Sequence, residues 1–287
     1  MTTHAAEHAD FSFVHFTDMH IMVGERAGSS TMSSQMDTAK TLEQVIRAIR
    51  ALDPKPAFAV LGGDLTSPDL LDQSRVWTAD DYEPSYRLLE QLVSPLSCPV
   101  YMLMGNHDHR EAFHRVMQTD ASLPHAAHYY SFDHQGYHFI ALDSLVPGEQ
   151  GGCIDVAQLD WLRADLAQHA EQPTVVFVHH HLWPIGVRWM DGMRLQNADE
   201  LEAVLRSHAQ LRWLICGHVH QDHHAERDGL TQVTTSATCF QISKVSQTPQ
   251  LELFLNSINS GAIAPHRYQS THPQNPLCDC GTVRPGC

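Results

Sequence analysis

A polar cluster follows a short apolar run at five places along the chain. The clearest is Gly105-Asn106-His107-Asp108, which comes directly after the apolar run Val100-Tyr101-Met102-Leu103-Met104. The other clusters are Asp18-Met19-His20, Gly62-Gly63-Asp64, His179-His180-His181 and Gly217-His218-Val219-His220. Apolar runs of this length are typical of buried strands, and open α/β sheets bind ligands at the carboxyl ends of their strands. The pattern therefore predicts a sheet whose strand ends bring carboxylates, imidazoles and a carboxamide together.

Strands and helices are predicted to alternate along most of the chain. The predicted strands are 11–16, 57–61, 100–104, 175–178, 211–216 and 250–255, with hairpins over 128–143 and 225–233. Helical spacing of apolar residues predicts helices near 37–52, 82–93, 111–118, 159–166 and 198–206. This alternation favours one layered α/β domain over residues 11–255. We expect a flexible N-terminus over 1–10 and a partly disordered C-terminal extension over 256–287, which contains Cys278, Cys280 and Cys287.

The composition limits the partners and the compartment. The 33 acidic residues against 18 basic ones give a formal charge of −15, which repels polyanions and argues against nucleic acid as a partner. No apolar run approaches the roughly 18 residues that a transmembrane helix needs, and the polar residues 1–10 lack the apolar region of a signal peptide. Seven cysteines without a secretion signal favour reduced thiols. The sequence therefore predicts a cytoplasmic protein.

The strand-end clusters contain the side chains that bind transition metals. Carboxylate, imidazole and carboxamide groups suit manganese, iron, zinc or cobalt, and we favour manganese or iron. The candidate ligands are Asp18, His20, Asp64, Asn106, His180, His218 and His220. This number suffices for two ions, which need a shared anionic ligand when they lie about 3.5–4 Å apart. Asp64 is the predicted bridge because its neighbouring glycines let the backbone come close, and a hydroxide between the ions is the predicted nucleophile.

Taken in order, these motifs resemble the calcineurin-like metallophosphoesterase superfamily over residues 11–245. Within it, the segments His179-His180-His181, Trp189-Met190-Asp191 and Leu195-Gln196-Asn197 are similar to bacterial class III cyclic nucleotide phosphodiesterases. Glycerophosphodiesterases share much of this pattern. The resemblance implies an α/β fold of the metallophosphoesterase type, a four-layer α/β/β/α sandwich. It also implies two metal sites that share Asp64: one with Asp18, His20 and His220, the other with Asn106, His180 and His218.

Two departures from the family pattern affect the site residues. Leu182-Trp183-Pro184 follows the histidine triplet where the family usually has His-His-Pro, so His180 is the first choice of ligand and His179 the alternative. Some phosphatases have an acidic residue three positions after Gly-Asp, where this chain has Ser67.

Catalytic and substrate-binding roles are predicted beside the metal ligands. The resemblance implies that His107 touches the phosphate and protonates the leaving oxygen. Asp108 is a candidate carboxylate for orienting His107. Asn106, His107 and Asn197 are the predicted substrate-binding residues, and Cys239 and Phe240 are further candidates for the pocket wall.

The predicted function is hydrolysis of a 3′,5′-cyclic nucleotide, first of all cyclic AMP, by attack of a metal-bridging hydroxide on phosphorus. The same chemistry on glycerophosphodiesters or phosphomonoesters is the alternative, because substrate choice depends on pocket walls. A non-catalytic scaffold is disfavoured because the chain keeps every ligand position of the pattern. The expected partner is a small phosphodiester, and the family resemblance allows a homo-oligomer.

Overall fold

A computed structural model of the protein describes residues 11–25, 37–119 and 127–240, and the backbone of 251–259 and 262–270. The strands are β1 (Phe11–Phe16), β2 (Ala59–Leu61), β3 (Val100–Met102), β4 (Tyr130–His134), β5 (Tyr137–Ala141), β6 (Thr174–Phe177), β7 (Leu211–Cys216), β8 (His223–Arg227), β9 (Leu230–Thr234), β10 (Leu251–Asn259) and β11 (Ala262–Ser270). The helices are α1 (Thr38–Ala51), α2 (Ala79–Val93), α3 (Arg110–Met117), α4 (Val156–Gln168), α5 (Arg188–Asp191) and α6 (Ala198–Arg206), with a 3-10 helix over Pro68–Leu71. The predicted N-terminus over 1–10 and the cysteines of the predicted extension lie outside the described residues.

Local signals explain where the first two helices begin. The Asp37 side chain accepts a hydrogen bond of 3.0 Å from the Lys40 backbone N–H, which caps α1 as predicted. Helix α2 begins three residues before its predicted start because Thr78 and Asp81 form a capping box. Among the helices in the described ranges, none has the length and apolar character that crossing a bilayer requires.

The strands form two sheets. The first has the order β11-β10-β1-β2-β3, with β1, β2 and β3 parallel and β10 antiparallel to β1. The second has the order β4-β5-β6-β7-β9-β8, in which β5, β6, β7 and β9 are parallel. Because β10 pairs with β1 and runs to Asn259, the domain boundary predicted at 255 falls inside a strand.

The sheets pack face to face through an aromatic core. Phe13 stacks on Phe58 of the first sheet at 5.0 Å between ring centroids, and Phe177 of the second sheet lies 5.9 Å from Phe13. Alternate strand residues face outward, so that Val14 of β1 packs with α1, α2 and α3, and Ile140 of β5 packs with α4 and α6. The predicted four-layer α/β/β/α sandwich is therefore confirmed.

Both sheets end at the same edge of the sandwich. The His179 Nδ1–H group of the second sheet donates to the Gly62 carbonyl of the first at 2.8 Å. The His218 backbone N–H donates to Asp18 Oδ2 at 3.0 Å, and the Thr238 N–H donates to the Thr17 carbonyl at 2.8 Å. These bonds join the carboxyl ends of β1 and β2 to those of β6, β7 and β9.

Candidate active site

Four of the predicted metal ligands meet at this edge as a first group. His20 Nε2 lies 3.2 Å from His220 Nε2 and 3.6 Å from Asp64 Oδ2. Asp18 Oδ1 lies 3.2 Å from His220 Nε2. All four side chains are buried, so the structure brings Asp18, His20, Asp64 and His220 together as the resemblance implies.

A second group forms on the other side of Asp64. His179 Nε2 lies 3.4 Å from Asp64 Oδ2, and His218 offers a ring nitrogen within 4.8 Å of both. Asp64 Oδ2 thus faces a histidine of each group, which is the geometry that a bridging carboxylate requires. Its Oδ1 accepts the His107 backbone N–H at 2.9 Å, which fixes the orientation of the carboxylate.

His179, rather than His180, lies beside Asp64 and His218 in this second group. His180 Nε2–H donates to the Gln150 carbonyl at 3.2 Å, so the other ring nitrogen accepts from Ser144 Oγ at 2.7 Å. Both nitrogens of His180 are therefore engaged, and neither offers a lone pair to an ion. Of the two candidates that the sequence left open, His179, the alternative, faces Asp64, whereas His180, the first choice, faces Ser144 and Gln150.

The backbone at the ligands adopts a conformation that L-residues seldom use. Positive φ angles occur at Asp18, His20, Asp64, His218 and His220, at 55°, 47°, 48°, 69° and 50° respectively. Each such residue costs on the order of 1–3 kcal/mol unless its surroundings hold it. Strain of this kind, concentrated on five predicted ligands, is typical of a functional site.

Two glycines permit the close approach of the strand ends. A Cβ at Gly63, whose φ is +94°, would lie 2.5 Å from His179 Nδ1. A Cβ at Gly105 would lie 2.3 Å from Asp64 Oδ1. The glycines before Asp64 and Asn106 are therefore needed because the neighbouring ligand occupies the space of a side chain.

Three of the clustered histidines are held through Nδ1. The His179 Nδ1–H group donates to the Gly62 carbonyl, and the His220 Nδ1–H group donates to the Phe240 carbonyl at 2.8 Å. His20 Nδ1 is hydrogen-bonded to Ser67 Oγ. This arrangement turns each Nε2 toward the carboxylates, as is usual for metal-bound imidazoles.

The cluster contains buried polar atoms that have no hydrogen-bond partner. They are Asp18 Oδ1, Asn106 Oδ1, His179 Nε2 and His218 Nε2. Each belongs to a candidate ligand, and buried polar atoms are rarely left unpaired in a native protein. Unpaired lone pairs that face one another in this way fit divalent cations.

The electrostatics of the cluster also suit a cation. Burial raises the pKa of Asp64, but His179 and His107 outweigh it and hold that pKa well below its ordinary value. Burial lowers the pKa of His20 to about 3, so that its imidazole is neutral and available as a ligand. Burial lowers the pKa of His179, but the Asp64 and Asp18 carboxylates outweigh it and raise that pKa to about 9, so a bound cation would have to displace a proton from this imidazole.

A residue absent from the predicted set orients His107. Asp69, on the 3-10 helix, accepts a hydrogen bond of 2.9 Å from His107 Nδ1. Burial lowers the pKa of His107, but the Asp64 and Asp69 carboxylates outweigh it and raise that pKa to about 9. In the absence of a bound cation the imidazole is therefore protonated near neutral pH.

Asp108, the predicted orienting carboxylate, has a different place. Its oxygens accept the backbone N–H groups of Gly105, Leu65 and Thr66 at 2.9 to 3.1 Å, and the Tyr86 hydroxyl at 2.8 Å. The backbone partners belong to the strand-end loops, so Asp108 fixes the backbone that carries Asp64 and Asn106, and the hydrogen bonds of the described residues link the His107 ring to Asp69 instead.

The predicted pocket-wall residues separate into two kinds. Asn197 Oδ1 accepts from the Ile154 N–H at 3.0 Å, and its Nδ2 donates to the Ile154 carbonyl at 2.8 Å. The Asn197 amide therefore holds the loop at Ile154 in place and does not face the substrate. The Phe240 ring, in contrast, lies 4.4 Å from the His220 ring, and Cys239 Sγ lies within 4.8 Å of the His20 and His220 nitrogens.

Comparisons with known proteins identify the family of this chain. The family model for calcineurin-like phosphoesterases matches residues 11–222. The 3′,5′-cyclic adenosine monophosphate phosphodiesterase CpdA of Pseudomonas aeruginosa is 30% identical over 83% of this chain and 80% of its own length. The CpdA of Escherichia coli is 30% identical over 84% and 81%. A dimetal phosphatase from Danio rerio superimposes with a TM-score of 0.67 at 16% identity, covering 87% of this chain and 93% of that one. The chain belongs to the calcineurin-like phosphoesterase family, a family of hydrolases.

Proposed function

We propose that the protein is a dinuclear metal-dependent phosphodiesterase that hydrolyses 3′,5′-cyclic nucleotides, with cyclic AMP as the first substrate. The observation that carries the proposal is the pair of groups that share Asp64, each completed by buried atoms without a partner. Relatives at 30% identity that are named for cyclic AMP support the substrate class.

The described residues divide naturally between two ions. One would take Asp18, His20, Asp64 and His220, and the other would take Asp64, Asn106, His179 and His218. When bound, two such ions neutralise phosphate charge and activate water for attack on phosphorus. The oxygen and nitrogen donors suit manganese or iron, which we favour, as well as zinc or cobalt.

His107 is proposed to supply the proton that the leaving group needs. Its ring centroid lies 5.2 Å from that of His20, and its Nδ1 is occupied by Asp69, so Nε2 is the nitrogen left for the substrate. Water adds to phosphorus and releases a proton to solvent as the bond from phosphorus to the ribose 3′ oxygen breaks. That oxygen keeps the electron pair of the bond and takes the proton from His107.

The test is hydrolysis of cyclic AMP by the full chain supplied with Mn²⁺, with bis(p-nitrophenyl) phosphate as a second substrate and Asn106→Ala as the inactive control. Turnover of both substrates by the wild type alone supports the proposal. Cleavage of the aryl diester alone overturns the cyclic nucleotide assignment and makes glycerophosphodiesters the next substrates. Absence of cleavage with two ions bound overturns the enzymatic proposal.

A further inference from the structure

Gln150 contacts a predicted metal ligand from outside the metal site. Its side-chain Oε1 accepts a hydrogen bond from Asn106 Nδ2 at 3.4 Å, at the long end of hydrogen-bonding distance. Its backbone carbonyl accepts from His180 Nε2–H at 3.2 Å. Gln150 is exposed to solvent, so its side chain is not needed to fill the core.

The orientation of the Asn106 carboxamide decides whether it binds a cation. Its oxygen and nitrogen ends have nearly the same shape, but only the oxygen has a lone pair to offer. In the structure Nδ2 is directed to Gln150, while Oδ1 is buried and has no hydrogen-bond partner. Because Gln150 Oε1 accepts a hydrogen bond from Asn106 Nδ2, the Asn106 Oδ1 atom at the other end of the amide stays on the side of the ligand cluster.

The loop that carries Gln150 is itself fixed by His180. The ring of His180 is fully buried and bonded at both nitrogens, to Ser144 Oγ and to the Gln150 carbonyl. A Cβ at Gly152 would lie 2.3 Å from His180 Nδ1, so the loop closes tightly against the imidazole. The Gln196 N–H donates to the Gly152 carbonyl at 2.7 Å and holds the loop from the other side.

We propose that Gln150 is a positioning residue, which orients the Asn106 amide with its oxygen toward the second ion, and that His180 fixes Gln150 for this task. The inference rests on the proposed dinuclear centre. It gives His180 a function although His179 takes the place in the ligand cluster. Glutamate at position 150 would also accept from Asn106 Nδ2 but has no N–H to donate, so it preserves the orientation. Methionine is similar in length and removes the acceptor.

The experiment is a calorimetric titration of the metal-free full chain with Mn²⁺. In Gln150→Met the dissociation constant of the second ion is expected to rise about tenfold, because lost outer contacts of ligands weaken metal affinity by roughly 10–100-fold. In Gln150→Glu the second ion should bind at least as tightly as in the wild type. The first ion should be unaffected in both variants. Gln91→Met, which removes another exposed glutamine, controls for the substitution itself.

The outcomes separate this inference from the proposed function. A wild type that binds fewer than two ions overturns the dinuclear centre and the role of Gln150 with it. A wild type that binds two ions, with an unchanged second affinity in Gln150→Met, overturns the role of Gln150 alone. Equal weakening in Gln150→Met and Gln150→Glu also overturns it, because the acceptor would then make no difference.

Discussion

The Asp69 carboxylate lies 2.9 Å from Nδ1 of His107 and fixes the orientation of the ring and the proton on Nδ1. The proton on Nδ1 is committed to Asp69, so Nε2 is the nitrogen through which His107 meets a substrate. Asp69 therefore has the role of orienting His107, which the sequence suggested for Asp108. The same contact helps to keep His107 protonated at neutral pH.

Asp69→Asn is expected to lower the turnover of cyclic AMP about tenfold, by analogy with other outer partners of catalytic groups. Removing this carboxylate also lowers the pKa of His107, because Asp69 is one of the groups that raise it. Activity that requires protonated His107 should therefore be lost at a lower pH than in the wild type. A pH–rate profile measures the shift of this basic limb.

The matched control is Asp72→Asn, on the same stretch of chain, whose carboxylate is exposed and bonded to Ser74. Its profile should coincide with that of the wild type. If Asp69→Asn leaves the basic limb in place, Asp69 does not act through His107.

His107→Gln should affect substrates according to their leaving groups. A ribose alkoxide needs a proton as it departs, so turnover of cyclic AMP should fall by about 10²-fold, the lower range for general acid catalysis. An aryl diester releases a stable phenolate and should lose much less activity. Steady-state kinetics with both substrates decide the matter, and equal losses would rule out proton donation by His107.

The two candidate histidines should differ in metal content. His179→Ala removes a nitrogen that faces Asp64, so bound metal should fall from two ions to about one per chain. His180→Ala removes no ligand and should retain both ions at saturating Mn²⁺. Elemental analysis of the two purified variants provides the comparison. Loss of an ion from His180→Ala but not from His179→Ala would restore the sequence-based choice of His180.

A buried histidine far from the ligand cluster links stability to pH. His138 Nδ1 lies 2.7 Å from Asp133 Oδ1, and its Nε2 lies 2.7 Å from Asp165 Oδ2. The His169 ring stacks on it at 3.8 Å. Burial lowers the pKa of His138, but the carboxylates of Asp165 and Asp133 outweigh it, so the pKa is raised in the folded protein.

The raised pKa sets the sign of the effect. Protonated His138 stabilises the folded state fully below about pH 6.5, the pKa of histidine in the unfolded chain, because His138 is protonated in both states there. This stabilisation is lost as the pH rises through the pKa of His138 in the folded protein. His138→Gln should cost about 2 kcal/mol of unfolding free energy at pH 6, as expected for hydrogen bonds to charged groups. The cost should be smaller at pH 9. Urea unfolding at both pH values measures it, and a cost that does not decrease with pH would contradict the prediction.

The ligand cluster was largely predictable because its signals are local. A glycine, a carboxylate or an imidazole directly after an apolar strand marks a strand end, and parallel strands bring such ends together. Asp18, His20, Asp64, His218 and His220 meet as expected for this reason. The fold followed from the same alternation of strands and helices, supported by the family resemblance.

The spacing of residues along the sequence does not predict the remaining site residues. Side chains alternate along an extended segment, so the choice between His179 and His180 depends on how the chain leaves β6, and a shift of one residue reverses it. Asp69 reaches His107 only because the 3-10 helix turns back toward the site. Gln150 lies 44 positions from its partner Asn106, and no local pattern connects the two.

The ligand cluster draws on both halves of the sandwich. Asp18, His20, Asp64 and Asn106 follow strands of the first sheet, whereas His179, His218 and His220 follow strands of the second. Ions bound there would act as further cross-links between two layers that are otherwise held by apolar packing and by the hydrogen bonds between their strand ends. At a metal concentration 100 times the dissociation constant, each would add about 2.7 kcal/mol to the free energy of unfolding. Chelation should therefore loosen the whole sandwich, and the melting temperature should report metal occupancy as directly as catalysis does.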